Sequence, residues 1–342
     1  MDNDESMAGY SNILIIKPGA IGDLLHITPV IREVKRSCPE SRITLIVGSR
    51  ATAALFDNHP HVYETIVFDK RGEHRSLPAL AKLWRRLRSA RYDLVLNFQR
   101  SNLKAWLLVS AAFPSRVLIY HKTRKRMVHA VINHWETIAP LGIRPTDMHL
   151  DFYPSPAAIA FADEYFTRHG LDGKVVVAIN PGASNRIKCW SPRRFAELGD
   201  RVTEELGAAV MIVGGKEERD LADAIRAGMR VPPLDLLGKT TLPQLGAILR
   251  RCNVVVSGDT GPMHMATAVG TPVVALFGAI DPRRTGPVGN GHRVIQHKEI
   301  ECVPCNAKSC ANSRYLECME KITADEVFHA LAEMLEKDGG TP

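Results

Sequence analysis

The sequence lacks any apolar run that approaches the roughly 20 residues of a membrane-spanning helix. The best candidates, residues 107–113 and 269–277, are too short. The first residues are acidic and polar, without the basic stretch and apolar core of a secretory signal, so we expect no signal peptide. Seven cysteines in 342 residues, combined with that expectation, favour a reducing cytoplasm.

Several signatures of common enzyme classes are also missing. No Ser-His-Asp, Walker or H-E-x-x-H pattern appears, and there is no low-complexity segment or repeat. The loop after the first predicted strand has G-x-x-G spacing, and the second predicted strand ends in Val47-Gly48-Ser49 instead of an acidic residue. Both features disfavour a nicotinamide-dependent enzyme. No motif supports nucleic-acid binding.

Positive charge is concentrated in the first half of the chain. The formal net charge is +7, and residues 1–150 hold 22 lysines and arginines against 13 acidic residues, whereas the remainder holds 22 against 24. A basic first half favours an acidic partner such as nucleic acid, an anionic membrane surface or a phosphorylated substrate. The alternative is a solvated face, of which charge runs such as residues 121–126 are equally typical.

Short apolar runs alternate with helical patterns twice along the chain, which is typical of parallel βα units. Residues 151–173, rich in proline and glycine, interrupt the alternation. The sequence therefore predicts two doubly wound α/β domains, residues 1–155 and 156–342, facing a central cleft, with a last helix that belongs to the second domain or packs back on the first. Ligands of such sheets bind beyond the carboxyl ends of the strands.

The individual elements follow from the same patterns. Predicted strands are residues 12–17, 42–47, 65–68, 93–97, 116–119, 175–180, 208–213, 234–236, 254–257 and 273–276. Predicted helices are residues 24–37, 77–90, 103–111, 128–139, 192–206, 218–227, 242–251, 263–269 and 324–335.

Residues 254–278 are the most informative stretch, because they predict a strand, a polar turn, a helix and a second strand. A helix that begins near Gly261 offers free N–H groups and a positive dipole end, which suit a phosphate or another anion. Asp259, Thr260 and His264 add a carboxylate, a hydroxyl and an imidazole at the same turn. The alternative is that Asp259 or Thr260 only caps the helix and His264 packs, but four functional types in one turn favour an anion site.

The loop after the first strand carries a second candidate. Gly19 and Gly22 permit a tight turn and the close approach of another group. Asp23 follows directly, at the mouth of the sheet. It is a candidate N-cap of the next helix and a candidate general base, and the two roles are compatible.

Two further strand ends carry charged groups. Lys188 lies in a loop rich in small residues and is a candidate for holding phosphate oxygens, with an ordinary surface lysine as the alternative. Glu217 and Glu218 follow a Gly-Gly turn, where a carboxylate suits a ribose hydroxyl. The alternative is a pair of acidic residues in the first turn of a helix.

Four of the seven cysteines cluster near the end of the chain. The pair with C-x-x-C spacing is compatible with a structural zinc site, and buried thiols or a redox pair are the alternatives. Nothing in the cluster suggests catalysis. These residues are Cys302, Cys305, Cys310 and Cys318.

Taken together, these motifs resemble the ADP-heptose:lipopolysaccharide heptosyltransferases, glycosyltransferase family nine, in particular heptosyltransferase II-like members. The resemblance covers residues 13–335 and includes the late Cys-x-Pro-Cys region. This sequence departs from the family's pattern at Lys17, where the family often has arginine, and at Pro262, where the family often has a leucine-like residue. The other motifs that carry it are residues 17–23 with Ile27-Thr28-Pro29, residues 180–190, residues 214–218 and residues 257–266.

The resemblance implies a GT-B fold whose first domain binds the acceptor and whose second binds the nucleotide sugar. It implies inverting transfer of a heptose from ADP-heptose to the phosphorylated inner core of lipopolysaccharide, without metal or cofactor, by a cytoplasmic enzyme peripheral to the inner membrane. Asp23 matches the family's base, Lys188 its diphosphate ligand and Glu218 its ribose ligand. The residues that match its donor-sugar and phosphate site are Asp259, Thr260, Gly261 and His264.

Three alternatives to this function remain at the level of sequence. A family-nine transferase with another nucleotide-sugar donor would share all of these motifs. A sugar-nucleotide epimerase of the same fold would need no acceptor. A non-catalytic nucleotide- or lipopolysaccharide-binding protein would have no use for a base at Asp23.

Overall fold

The structure is a computed structural model that describes residues 9–70, 72–99, 103–120, 127–144 and 146–337. The basic run at residues 121–126 lies outside the described residues. The chain divides into two compact units, Met1–Tyr153 and Pro154–Pro342. Among the helices of the described part of the chain, none combines the length and apolarity needed to span a bilayer.

The first unit is built on a five-stranded parallel sheet with the order β3-β2-β1-β4-β5. Its strands are β1 (Asn12–Ile16), β2 (Arg42–Val47), β3 (Glu64–Val67), β4 (Leu94–Asn97) and β5 (Arg116–Ile119). Its helices are α1 (Ile21–Leu25), α2 (Thr28–Ser37), α3 (Arg50–Ala53), α4 (Leu77–Ser89), α5 (Leu103–Ala112) and α6 (Ala130–Ile138).

The central strand β1 is covered on both faces, since Ile13, Leu14, Ile15 and Ile16 are all fully buried. Successive side chains of a strand point to opposite faces, so an unbroken apolar strand needs helices on both sides. On one side Leu14 and Ile16 belong to an apolar cluster with residues of α4 and α5. Burial on both faces explains why the sequence of β1 is a continuous apolar run.

The prediction of one helix over residues 24–37 is wrong, because two helices occupy this segment. Proline lacks the N–H that would bond the preceding turn, and Pro29 is the second residue of the new helix α2. The carbonyl of Leu25 accepts a hydrogen bond from the Thr28 hydroxyl at 2.8 Å. The apolar spacing continues through the break, so periodicity alone did not reveal it.

The second unit is built on a six-stranded parallel sheet with the order β11-β10-β9-β6-β7-β8. Its strands are β6 (Val176–Asn180), β7 (Ala209–Ile212), β8 (Leu234–Asp235), β9 (Val254–Gly258), β10 (Val273–Leu276) and β11 (Arg293–Ile295). Its helices are α7 (Pro156–Arg168), α8 (Pro192–Leu206), α9 (Arg219–Gly228), α10 (Leu242–Arg251), α11 (Gly261–Ala268), α12 (Pro282–Thr285), α13 (Glu317–Glu320) and α14 (Ala324–Lys337).

The last helix, α14, contributes to the core of this second unit. Val327 and Leu331 are fully buried in the apolar cluster that also holds strand residues of the sheet. The guanidinium of Arg201, on α8, lies 3.9 Å from the ring centre of Phe328. The edge strand β11 was not predicted, because three residues are too few to show a periodicity.

The strand order of the second sheet brings three distant parts of the chain to one edge. Strand β6 lies between β9 and β7, and all three are parallel. The loops that follow these strands therefore emerge at one edge of the sheet, although they are far apart in sequence. Asn180 is the last residue of β6, Glu218 lies in the segment that follows β7, and Asp259 directly follows β9.

Candidate active site

The turn after β9 opens helix α11 as the sequence predicts. Thr260 is the N-cap, and its hydroxyl accepts a hydrogen bond from the backbone N–H of Met263 at 3.4 Å. The Thr260 hydroxyl has a second role besides capping, since it also donates a hydrogen bond to Asn180 Oδ1 at 3.0 Å. Gly261 is the first helical residue, so its N–H and the positive end of the helix dipole lie beside Asp259. Pro262 has no N–H, and the N–H groups of Met263 and His264 both bond Thr260.

Asp259 connects two basic side chains at this helix end. Lys188 Nζ lies 2.5 Å from Asp259 Oδ2, and His264 Nε2 lies 3.7 Å from Asp259 Oδ1. Burial opposes ionisation of the carboxyl group, but His264 and Lys188 outweigh it and lower the pKa of Asp259 to about 2. Asp259 is therefore a carboxylate at neutral pH, and it fixes the Lys188 ammonium at the start of α11.

Glu218 lies at the neighbouring strand end and is packed closely. Its carboxylate accepts hydrogen bonds from the N–H of Gly215 at 3.1 Å and from Asn180 Nδ2 at 3.5 Å. A Cβ atom on Gly182 would lie 1.8 Å from Glu218 Oε1, so only glycine leaves room for this side chain. Burial raises the pKa of Glu218.

The structure also distinguishes the two adjacent glutamates. Glu217 is exposed, whereas Glu218 is half-buried against the Asn180 loop. Of the two carboxylates, only Glu218 has recorded hydrogen bonds to the loops that surround Asp259. Glu218 is therefore the better candidate for binding a ligand at this edge.

Asn180 is the residue that sequence reasoning missed. It is 1% exposed, and its amide nitrogen donates to Val213 O at 3.1 Å as well as to Glu218. Its amide oxygen accepts from Ser257 at 3.2 Å and from Thr260 at 3.0 Å. One buried amide thus joins the loops after β6, β7 and β9. The available signal was a polar residue at the end of a fully apolar strand.

We expect Asn180→Ala to raise the Kd for ADP, the nucleotide that the resemblance implies for this site, about tenfold and to lower the free energy of unfolding by about 1–3 kcal/mol. The substitution leaves the hydroxyls of Ser257 and Thr260 without their acceptor, and buried groups that lose partners are costly. Calorimetric titration and denaturant unfolding measure the two effects. Unchanged affinity with reduced stability would assign Asn180 a purely structural role.

In the first unit, Asp23 is the third residue of α1 and is not its N-cap, which corrects that interpretation. Its carboxylate Oδ2 accepts from the N–H of Ala20 at 3.4 Å, and its side chain is 57% exposed. A Cβ on Gly19 would lie 2.7 Å from the Asp23 Cβ, so glycine permits this close approach. Gly22, the residue before it, lies inside α1. Asp23 is held locally and remains accessible.

A buried basic pair lies behind Asp23. Lys17 Nζ is 3.7 Å from Asp23 Oδ1 and 3.2 Å from His134 Nε2, and His134 Nδ1 is 3.3 Å from the carbonyl oxygen of His26. This arrangement fits a neutral His134 that donates from Nδ1 to His26 and accepts at Nε2 from Lys17. Burial, followed by the charge of Lys17, lowers the pKa of His134 well below its usual value. Lys17 thus presents one positive charge to Asp23 from a fixed position.

We expect the first unit to lose stability as the pH falls from 7.5 to 5. Burial lowers the pKa of His59 from 6.5 to about 3, and His134 shifts in the same direction. The unfolded chain therefore takes up protons below pH 6.5 before the folded chain does, so the stabilisation present above that pH is progressively lost. At pH 5 the loss from His59 amounts to about 2 kcal/mol, and His134 adds to it in the same direction.

Hydrogen exchange of the β1 amides at the two pH values measures this effect. His134→Gln keeps a donor and an acceptor at the site but does not titrate, so it should reduce the pH dependence and leave the part that comes from His59. An unchanged pH dependence in that variant would contradict the assignment to His134.

The four clustered cysteines line one cavity of about 750 Å³. Burial and the other three thiols raise the pKa of Cys318. Throughout the residues that the structure describes, no group of three or more histidine, cysteine, aspartate or glutamate side chains has an arrangement that could hold a metal ion. The zinc prediction therefore has no support in the structure.

Residues 80–316 match the model of glycosyltransferase family 9 (heptosyltransferase). The chain is 28% identical over 344 residues to lipopolysaccharide heptosyltransferase 3 of Escherichia coli K12, covering 93% of this chain and 96% of that protein.

Solved structures resemble the fold across almost the whole chain. A family 9 glycosyltransferase from Veillonella parvula has a TM-score of 0.84 at 23% identity, covering 96% of this chain and 98% of its own. The ADP-heptose lipopolysaccharide heptosyltransferase II of E. coli has a TM-score of 0.77 at 21% identity, with 96% and 100% covered. This likeness confirms the predicted GT-B fold class. The match of the family model to more than half of the chain shows that it belongs to glycosyltransferase family 9, the heptosyltransferases, and is a glycosyltransferase.

Proposed function

We propose that this glycosyltransferase moves a heptose from ADP-heptose to the inner core of lipopolysaccharide, with inversion at the anomeric carbon and without a metal ion. The observation that carries the proposal is the Lys188–Asp259 pair at the start of α11, connected through Thr260 and Asn180 to Glu218. A fixed cation, a helix N-terminus and a half-buried carboxylate at one sheet edge suit the diphosphate and ribose of a nucleotide sugar.

The donor would be held mainly by the second unit. Lys188 has three N–H donors, one of which faces Asp259, so two remain for diphosphate oxygens. The Gly261 N–H would supply a further donor, and the positive end of the α11 dipole would favour the same negative charge. Glu218 would accept from a ribose hydroxyl, and His264 with Asp259 would face the sugar. We propose that the first unit binds the acceptor.

The chemistry follows from these positions. Asp23 would take the proton of an acceptor hydroxyl as its oxygen attacks the anomeric carbon. The bond between that carbon and the diphosphate breaks, and ADP leaves with the electron pair. Lys188, the Gly261 N–H and the positive end of the α11 dipole would stabilise the charge that develops on the leaving group, a role that a divalent ion has in other transferases. Attack opposite to the leaving group inverts the configuration.

The proposal also includes the kind of acceptor and the place in the cell where the enzyme acts. The relative from E. coli K12 is named a lipopolysaccharide heptosyltransferase, and the structural neighbour is named for ADP-heptose. The excess of positive charge in residues 1–150 suits a phosphorylated acceptor at an anionic surface. We therefore place the enzyme at the cytoplasmic face of the inner membrane.

The test is incubation of the purified protein with ADP-heptose, and separately with other nucleotide sugars, in the presence of truncated lipopolysaccharide and a chelator. Mass spectrometry should show addition of a heptose from ADP-heptose only. Preferred transfer from another donor would indicate a different member of the family. Conversion of a nucleotide sugar without acceptor would indicate an epimerase, and loss of activity with chelator would contradict metal independence.

A further inference from the structure

Exposed apolar side chains gather on two helices of the first unit. Within the described residues, eleven large apolar side chains are exposed, and five of them lie on α4, on α5 or directly after α5. They include both exposed tryptophans, since Trp84 is 42% and Trp106 is 54% exposed, whereas Trp135 and Trp190 are buried. The five residues are Leu77, Trp84, Trp106, Leu107 and Phe113.

The two helices that carry these side chains are packed together. Leu77, Trp84 and Arg88 are spaced by seven and four residues and therefore lie along one side of α4, away from the buried Leu83 and Leu87. Helices α4 and α5 pack against each other. The guanidinium of Arg88 lies 4.1 Å from the ring centre of Phe113, which joins the two helices at one end.

Phe113 has a backbone conformation that is unfavourable for a bulky residue. Its φ of 45° lies in the left-handed region, and its side chain is 71% exposed, so folding recovers little apolar burial from the ring. An exposed apolar patch that is rimmed by charge marks an interaction site. A partner that covers the Phe113 ring would bury the apolar surface that folding leaves exposed.

The charge beside the patch is of one sign. Helix α4 carries four basic residues and no acidic residue, and residues 77–113 hold seven lysines and arginines against the single acid Asp93. Asp93 is occupied, because it accepts from the N–H groups of Ser11 and Asn12. Arg88 lies in the apolar stripe itself, and Lys82 and Arg85 are exposed on the side of the same helix that is turned away from Leu83 and Leu87. The complementary surface must therefore be anionic and able to take up aromatic rings.

We propose that the α4–α5 surface, defined as the five exposed apolar residues with Lys82, Arg85 and Arg88, docks the protein on an anionic phospholipid bilayer. A helix with basic residues beside tryptophan, leucine and phenylalanine is typical of binding in the interfacial plane. Tryptophan favours the headgroup level, and basic residues are drawn to anionic lipids. This docking stands on the surface alone and does not depend on the proposed substrates.

The distribution of tryptophans makes the test direct. Vesicles of phosphatidylglycerol and phosphatidylcholine, without lipopolysaccharide, should co-sediment the wild-type protein, and vesicles of phosphatidylcholine alone should bind it at least tenfold more weakly. Acyl chains that carry bromine should quench the emission of Trp84 and Trp106 but not that of the two buried tryptophans. Absence of co-sedimentation, or co-sedimentation without quenching, would overturn the proposal.

Three variants separate the contributions. Lys82→Glu combined with Arg85→Glu should weaken binding to the anionic vesicles by about tenfold or more. Trp84→Ser with Trp106→Ser should abolish it, while Trp84→Phe with Trp106→Phe should keep most binding and lose the quenching. Tyr315→Ser, which removes an exposed aromatic of the second unit, is the matched control and should bind like the wild type.

If a protein chain, instead of a bilayer, docked on the α4–α5 surface, the measurements would differ. If the surface were an interface between two copies of the chain, sedimentation velocity without lipid would show a dimer that Trp84→Ser with Trp106→Ser disrupts, and this would overturn the membrane assignment. Transfer to an acceptor in solution should be unchanged in all three variants. That readout separates failure of docking from failure of the proposed function.

Discussion

Asp23→Asn should slow heptose transfer by about 10²–10⁴-fold, which is the range that a positioned general base contributes. Asparagine keeps the size of the side chain and an oxygen for the N–H of Ala20, so the local structure of α1 should persist. It cannot accept the proton of an acceptor hydroxyl at neutral pH. Affinity for ADP-heptose should be unchanged, because the proposed donor site lies in the second unit.

Initial rates and calorimetric titration of the same preparation measure the two effects. Asp57→Asn is the matched control, since it neutralises another exposed carboxylate of the first unit and should leave both quantities unaltered. A rate for Asp23→Asn within about twofold of the wild type would remove Asp23 from the base role. A parallel loss of donor affinity would place Asp23 in donor binding instead.

Lys188→Ala should lower turnover by about 10²–10³-fold and raise the Kd for ADP about tenfold or more. The turnover loss corresponds to removal of one preorganised donor from a developing charge, and the affinity loss to a charge-assisted hydrogen bond. The substitution also leaves the Asp259 carboxylate, now without its lysine, next to the diphosphate position. Repulsion between these anions adds to the effect.

A second substitution separates attraction from repulsion. Adding Asp259→Asn to Lys188→Ala should recover part of the ADP affinity, because the repulsive carboxylate is gone, but it should not recover turnover. Lys174→Ala removes an exposed lysine just before β6, at the opposite end of the strand from Asn180, and should bind ADP normally. An affinity of Lys188→Ala equal to that of the wild type would exclude Lys188 from the donor site.

Most strands and many helices could be predicted because their signals are local. The buried run that forms β9 and the helix α10, with Thr241 as its cap and Pro243 in its first turn, depend on residues adjacent in sequence. The same holds for the helix start at Thr260, where the capping residue and the free N–H groups lie within one turn. The break before Pro29 was missed even though its cause is local, because the apolar spacing hid it.

The connections within the site could not be predicted from local patterns. Asn180 contacts Glu218 and Thr260 only because the strand order places β6 between β7 and β9. Likewise, Lys17 meets His134 across the first unit, and nothing near His134 in the sequence distinguishes it from an ordinary helix residue. The choice of Glu218 over Glu217 also needed the packing of Gly182 against the side chain.

The central claim is that the enzyme transfers a heptose from ADP-heptose with inversion. The most direct measurement is the anomeric configuration of the newly added heptose, determined by nuclear magnetic resonance on the product formed from ADP-heptose and truncated lipopolysaccharide in the presence of a chelator. The account predicts a single product whose anomeric configuration is opposite to that of the donor. Retention of the donor configuration, or no heptose added to the acceptor, would contradict it.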